Sequence, residues 1–178
     1  MVEPDDTELL ERSRGGDMAA FKLLVQRYEG PVAGVIKPIL GNTPEAEDVG
    51  QEVFIRFYDS LNKFRGDSKL STYLIRIAIN LSLNELKRKK RTNSHYATLE
   101  AAEGVKGVDE MMDLKEHLDY AFERLEPEFK AVATLRLIEG YSTEETAGIL
   151  EIPLGTALSR LARAQQKLRI SLSKKLKP

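Results

Sequence analysis

The chain contains no cysteine, only two histidines and no long apolar run. Without cysteine there is no disulfide framework, no thiol nucleophile and no Cys-ligated zinc or iron–sulfur site. His95 and His117 stand too far apart for a compact metal motif. No Gly-rich phosphate loop follows a strand, so the sequence predicts neither an enzyme nor a cofactor, and no small-molecule substrate. No stretch approaches the roughly 18–20 apolar residues that span a bilayer. The first residues, Met1 to Asp6, are acidic and polar rather than a basic stretch leading into an apolar one. A cytoplasmic protein without membrane insertion is expected. With 27 Lys plus Arg against 28 Asp plus Glu the net charge is −1, a total that by itself argues against a nucleic-acid partner.

The distribution of charge reverses that inference. Residues 1–60 carry 6 basic and 12 acidic side chains, but 61–91 carry 9 and 2. Residues 100–128 carry 3 basic and 10 acidic, whereas 160–178 carry 7 basic and none acidic. Either block alone could be a solvated helix face. Two positive blocks, each closing a helical region, point to two contacts with a polyanion.

Apolar residues recur at helical spacing almost throughout, and nothing alternates like a half-buried strand, so the fold class is all-α. Leu9, Leu10 and Ser13 mark a short helix ending at Gly15-Gly16. Asp17 caps the next, with Phe21, Leu24, Val25 and Tyr28 on one face. Gly30-Pro31 reads as a break before a third helix reaching Gly41-Asn42. Thr43-Pro44, followed by Glu45, Glu47 and Asp48, begins another helix; it runs to about Asn62 with Val49, Val53, Phe54, Phe57 and Leu61 inward. After a loop from Phe64 to Lys69, a long helix starts at Ser71 or Thr72 and ends in the basic run Lys87–Arg91. Residues 92–112 lose periodicity and read as a flexible linker. A second helical region follows, with helices from near Met112 and from Pro127 to Ile138. The expected organisation is two small helical domains, 1–91 and 113–178, joined by the linker 92–112.

The C-terminal domain carries a helix-turn-helix pattern. Ser142 with Glu145 makes a capping box. A short helix, the connector Glu151-Ile152-Pro153 and a second helix from Leu154 follow. On a helical wheel Ala157, Leu161, Ala164 and Leu168 share one face. Thr156, Arg160, Arg163 and Lys167 fall opposite, flanked by Ser159 and Gln166. Hydroxyls, arginines and an amide suit the major groove; the alternative is an amphipathic helix with a solvated basic face. The 71–91 helix differs: Tyr73, Arg76, Asn80, Asn84 and Lys87 share a face opposite Leu74, Ile77, Ala78 and Leu81. An aromatic ring, amides and cations in one line suit single-stranded nucleic acid, and the 64–69 loop could hold an extruded base. Against this, Tyr73 could simply be a boundary core residue and Asn80 a local hydrogen bonder.

Taken in order, these segments resemble the extracytoplasmic-function (ECF) sigma factors, the compact class of the bacterial sigma-70 family, over nearly the whole chain. Gly16-Asp17-Met18-Ala19-Ala20-Phe21 with Leu24-Val25-Gln26-Arg27-Tyr28 is similar to the family's first conserved segment. Glu47-Asp48-Val49-Gly50-Gln51-Glu52-Val53-Phe54 matches its polymerase-binding helix. Phe64-Arg65-Gly66-Asp67-Ser68, Thr72-Tyr73-Leu74-Ile75-Arg76-Ile77-Ala78 and Asn80 match the segment that melts and captures the minus-ten element. Leu125-Glu126-Pro127, Leu135-Arg136, Gly140-Tyr141-Ser142, Glu144-Glu145, Ala147, Gly155-Thr156, Ser159-Arg160 and Arg163-Ala164 match the domain that binds the minus-thirty-five element.

The resemblance implies three sites. Asp48, Gln51, Glu52 and Arg56 would dock on the clamp helices of core RNA polymerase; the simpler reading of these four is a solvated face. Phe64, Arg65, Ser68, Lys69, Tyr73, Arg76, Asn80, Asn84, Lys87, Arg88 and Arg91 would bind minus-ten DNA. Thr156, Ser159, Arg160, Arg163, Gln166 and Lys167 would bind minus-thirty-five DNA. Implied partners are core polymerase, through clamp helices and flap, promoter DNA, and an anti-sigma factor that could hold the protein at the membrane. A stand-alone helix-turn-helix regulator would explain 140–170 but not the stripe at 73–91.

Five positions depart from the family pattern. Tyr73 stands where Trp is usual, keeping a stacking ring of smaller surface. Glu126-Pro127 replaces a frequent Leu-Pro and reads as a harmless change in a turn. Thr146 replaces a usual Ile. Ala157-Leu158 stands where a branched apolar residue and then a cation are usual; the change either removes one phosphate or base contact or replaces it with packing by Leu158 at the edge of the inward face.

Overall fold

The computed structural model describes residues 4–97 and 114–173. All regular structure among them is helical: α1 Asp6–Arg14, α2 Met18–Leu40, α3 Pro44–Ser60, α4 Leu70–Ala97, α5 Leu114–Glu123, α6 Pro127–Ala133, α7 Thr143–Leu150 and α8 Leu154–Ser173. Between α6 and α7, Thr134–Ile138 forms a π-helical turn. Packing divides the chain into two compact units, Met1–Ser82 and Leu83–Pro178, with the division inside α4.

In the first unit the starts of α2 and α3 are written locally. Asp17 accepts from the Ala19 and Ala20 amides at 2.9 and 3.1 Å, and Thr43 accepts from the Ala46 amide at 3.3 Å with Pro44 in the first turn. The expected break at Gly30-Pro31 does not occur: α2 runs through it. A residue before proline is pushed out of the α region partly by a clash between its own Cβ and the proline ring. Gly30 has no Cβ. The buried line Leu24, Val32, Val35, Ile36 and Ile39 then continues across Pro31, and its burial outweighs the lost amide donor. Helix α1 is clipped to α2: the Tyr28 hydroxyl and the Arg27 guanidinium both donate to the Asp6 carboxylate. Burial, then the Asp6 bond and charge, hold the Tyr28 phenol well above its ordinary pKa. The α3 face is as expected, with Val49, Val53 and Phe57 buried and Phe54 half-buried.

Helix α4 extends six residues beyond Arg91, so the basic run lies inside a helix and not at its end. The expected linker is therefore helical over 92–97; its remainder, 98–112, lies outside the described residues. On α4 the buried side chains among the described residues are Leu70, Leu74, Ile75, Ala78, Ile79, Leu81 and Ser82, while Ile77 is half-buried. The core face is thus wider than the four expected positions and includes Ile75 and Ile79.

The second unit packs α5, α6 and α7 against α8 around Ala121, Phe122, Leu125, Phe129, Ala133, Ala164 and Leu168. Lys130 is buried, and its ammonium donates to the Glu123 carbonyl at 3.0 Å, satisfying an end carbonyl of α5. Burial pushes this lysine's pKa down. The predicted helix from Pro127 to Ile138 is present, but its last turn is wide. The Glu139 amide donates to the carbonyl of Thr134, five residues back, at 3.0 Å. The capping box forms as predicted: the Glu145 amide donates to Ser142 Oγ at 3.0 Å and the Ser142 amide to Glu145 Oε2 at 2.7 Å. Helix α7 ends at Glu151 in the left-handed region, φ 53°. The Ile152 amide folds back to the Ala147 carbonyl at 3.0 Å, which turns the chain into α8 within three residues.

Candidate functional site

On α3, Asp48, Gln51 and Arg56 are exposed and Glu52 half-buried. Arg56 Nε pairs with Glu52 Oε1 at 2.7 Å, one turn apart, which neutralises both while keeping them on one side. Ile55, 55% exposed, lies at the centre of this face. By helical rotation it falls between Gln51 and Glu52 and opposite Val53 and Phe57. Ile55 is not among the four residues expected on this face, although an isoleucine three or four places from Gln51, Glu52 and Asp59 is a visible signal in the sequence. Tyr58, also exposed, meets Phe21 edge-on at 5.0 Å between ring centroids. An open groove between α2 and α3, lined by Val25, Val32, Ile36, Ala46 and Phe54, reaches Gln51.

The 64–69 loop splits into two roles. Phe64, expected among the DNA contacts, is only 8% exposed. Its ring packs on Tyr73 at 4.9 Å, and Tyr73 meets Phe57 at 6.3 Å. Phe64 therefore anchors the loop from within. Arg65 and Lys69 are exposed and Ser68 half-exposed; Gly66 supplies the turn with φ +80° and open space around it. Tyr73 is a boundary residue whose hydroxyl donates to Ser60 Oγ at 3.0 Å. Its ring orientation is thus fixed at the loop's edge.

Arg14 completes the anchorage and was invisible in the sequence. Its guanidinium donates from Nε to the Leu61 carbonyl at 3.1 Å and from Nη2 to the Phe64 carbonyl. Nη1 meets Glu11 at 2.7 Å. Nothing local predicts a bond spanning 47 or 50 positions. Further along α4, Asn80, Asn84, Lys87, Arg88 and Arg91 are exposed and Arg76 is half-buried. Arg88 chelates Glu85 through Nε and Nη2 at 2.8 and 2.9 Å.

On α8, Ala157, Ala164 and Leu168 are buried and Leu161 half-buried. The polar stripe lies about a quarter turn from that face, not opposite it. Thr156 and Arg160 are accordingly half-buried, whereas Ser159, Arg163, Gln166 and Lys167 are exposed. Ser159 Oγ donates to the Thr156 carbonyl at 3.0 Å. Arg160, Arg163 and Gln166 make no hydrogen bond or ion pair among the described residues. Lys167 differs: its ammonium lies 2.5 Å from Glu126 Oε1 and 5.4 Å from the Phe129 ring centroid. Glu126-Pro127 is thus more than a harmless turn variant. Leu158 is 51% exposed, so it adds little packing in place of the missing cation. Thr146 is fully buried, and its Oγ1 has no hydrogen-bond partner among the described residues, a cost an isoleucine would not carry. Among the described residues no group of His, Asp or Glu could hold a metal ion, and no helix is long and apolar enough to cross a membrane.

Comparison with known proteins agrees with this geometry. Residues 24–92 match Sigma-70 region 2 and residues 115–168 match Sigma-70, region 4. The chain is 35% identical to the RNA polymerase sigma-H factor of Pseudomonas aeruginosa, covering 94% of each chain. It is 36% identical to the ECF RNA polymerase sigma-E factor of Haemophilus influenzae, covering 92% of this chain and 93% of that one. Among solved structures the fold is similar to CnrH in complex with the cytosolic domain of CnrY (TM-score 0.69, 21% identity, 93% and 96% of the two chains). It is also similar to the sigma factor RpoE bound to the anti-sigma factor NepR from Bartonella quintana (TM-score 0.63, 20% identity, 86% and 96%). With both family regions in order on the helices that carry the three faces, the chain belongs to the extracytoplasmic-function class of the sigma-70 family of RNA polymerase sigma factors.

Proposed function

We propose that each face of this sigma factor performs one step of promoter-specific initiation. Asp48, Gln51, Glu52 and Arg56, joined by Ile55, bind the clamp helices of core polymerase. Arg65, Ser68 and Lys69 with Tyr73, Arg76, Asn80 and Asn84 capture melted minus-ten DNA, and Lys87, Arg88 and Arg91 hold duplex phosphates beside it. Thr156, Ser159, Arg160, Arg163 and Gln166 read the minus-thirty-five element in the major groove. The domains implied are 1–91 for the first two steps and 113–178 for the third, which also meets the flap. Phe64 serves by fixing the loop. The protein acts in the cytoplasm as an initiation factor, with no catalytic group of its own, and an anti-sigma partner restrains it.

The observation that carries this reading is the pair of exposed polar faces on α4 and α8, in chain order, each backed by a core. A stand-alone regulator needs only the second. The test is reconstitution with bacterial core RNA polymerase on duplex and minus-ten-premelted promoters. Promoter-specific transcripts are expected from both; their absence from both would overturn the reading.

A further inference from the structure

The α8 stripe contains three cations in its first fourteen residues, and they are not equivalent. Arg160 and Arg163 have no partner among the described residues, whereas Lys167 is bonded to Glu126 at 2.5 Å. Residues 160–178 include no acidic side chain, so a counter-charge for this stripe has to come from another element. Glu126 is placed to supply it. It occupies the N-cap position of α6 in extended backbone, φ −62° and ψ 150°, with Pro127 in the first turn. An N-cap side chain ordinarily turns inward to accept from its own helix. Glu126 makes no such bond; Oε1 accepts from Lys167, and Oε2 is buried with no hydrogen bond from another described side chain. Phe129, one turn along α6, places its ring beneath the same ammonium. The carboxylate and the ring together form a seat for one lysine.

We propose that Glu126 sets the affinity and the salt dependence of duplex binding by occupying Lys167, withdrawing one cation from phosphate contact. The proposal rests on reading α8 as the duplex-binding helix. A lysine–phosphate contact releases condensed counterions and steepens salt dependence by about 0.9 in log K against log salt. Such contacts carry no sequence information. Holding one of them back weakens binding to every duplex by about the same factor and leaves the base-reading contacts of Arg160 and Arg163, and so the discrimination between sequences, unchanged.

The test measures binding of the full-length chain to random-sequence duplex DNA by fluorescence anisotropy across 50–200 mM salt. Glu126→Gln keeps shape and removes the charge. Its salt slope is expected to steepen by about 0.9, so that affinity falls about threefold further across this range than in the wild type. Lys167→Ala alone is expected to leave the wild-type slope unchanged. In the double variant the gain from Glu126→Gln should vanish. An unchanged slope for Glu126→Gln overturns the proposal, as does a shallower slope for Lys167→Ala alone, which would place Lys167 on phosphate already. A gain that survives in the double variant also overturns it, since a general charge effect would then suffice. Misfolding cannot imitate tighter binding. Failure of the underlying reading looks different: Arg160→Ala would then leave wild-type duplex binding untouched.

Discussion

Arg14 Nε donates to the Leu61 carbonyl at 3.1 Å, fastening the end of α1 to the segment that enters the Arg65–Lys69 loop. A second bond from the same guanidinium reaches the Phe64 carbonyl. The loop is thus held by a charge-assisted clamp outside and by the Phe64–Tyr73 ring contact within. Loss of one charge-assisted hydrogen bond is worth ~1.5 kcal/mol, about tenfold in an equilibrium. Arg14→Ala should therefore weaken promoter opening about tenfold, read by 2-aminopurine fluorescence in the minus-ten element. Core-polymerase affinity should stay unchanged. If opening is normal, the clamp does not position the loop.

Ile55 is the apolar centre of a polar face, the arrangement in which interface energy concentrates. Ile55→Ala should cost at least ~1 kcal/mol of core-polymerase affinity, more than Asp48→Ala at the rim. Titrating labelled sigma with core polymerase compares the two. Equal losses would remove Ile55 from the centre of the interface.

Arg160→Ala should weaken binding to the upstream duplex by ~1–3 kcal/mol and leave core binding intact. Competition between promoter and random duplexes, together with a core-binding titration, separates the outcomes. A loss of core affinity would contradict the division of faces.

Thr146→Val removes a fully buried hydroxyl that has no partner among the described residues, while preserving shape. A stability gain of about 1 kcal/mol in the C-terminal unit is expected, visible as slower amide exchange in α7 and α8. Slower exchange that fails to appear would mean the hydroxyl is satisfied.

Asp17 caps α2, and its pKa lies below the ordinary carboxylate value. The Ala20 amide bond is the leading cause and the Arg12 bond the next. A depressed folded-state pKa means the contribution is complete above the unfolded value, near 4, and is lost as pH falls through the folded value. Asp17→Asn should flatten the acid limb of the stability–pH curve below about pH 4, followed by circular dichroism. An unaltered limb would show that the cap carries no such linkage.

Local chemistry made the helix starts at Asp17, Thr43 and Ser142 readable, because a cap needs only residues two or three positions away. The Gly30-Pro31 break was misread because the two strongest breakers cancel when the glycine precedes the proline. Phe64 looked like a DNA contact because sequence order cannot tell a ring aimed at solvent from one aimed at Tyr73. Arg14 and Glu126 were missed for the same reason: their partners lie 47 and 41 positions away. The π-helical turn at Thr134–Ile138 left no periodic trace, since one extra residue in a turn is invisible in a five-residue window.

The continuation of α4 to Ala97 changes what the Lys87–Arg91 run can do. Five successive helical positions at about 100° each go once around the axis, so these cations form a collar, not a row. A DNA backbone passing along one side meets Lys87, Arg88 and Arg91, which fall within about 100° of one another. Lys89 and Lys90 fall outside that arc and look toward the second strand or an acidic surface. A rigid collar can therefore hold two negatively charged surfaces at once, whereas five lysines and arginines on a loose tail would gather on one.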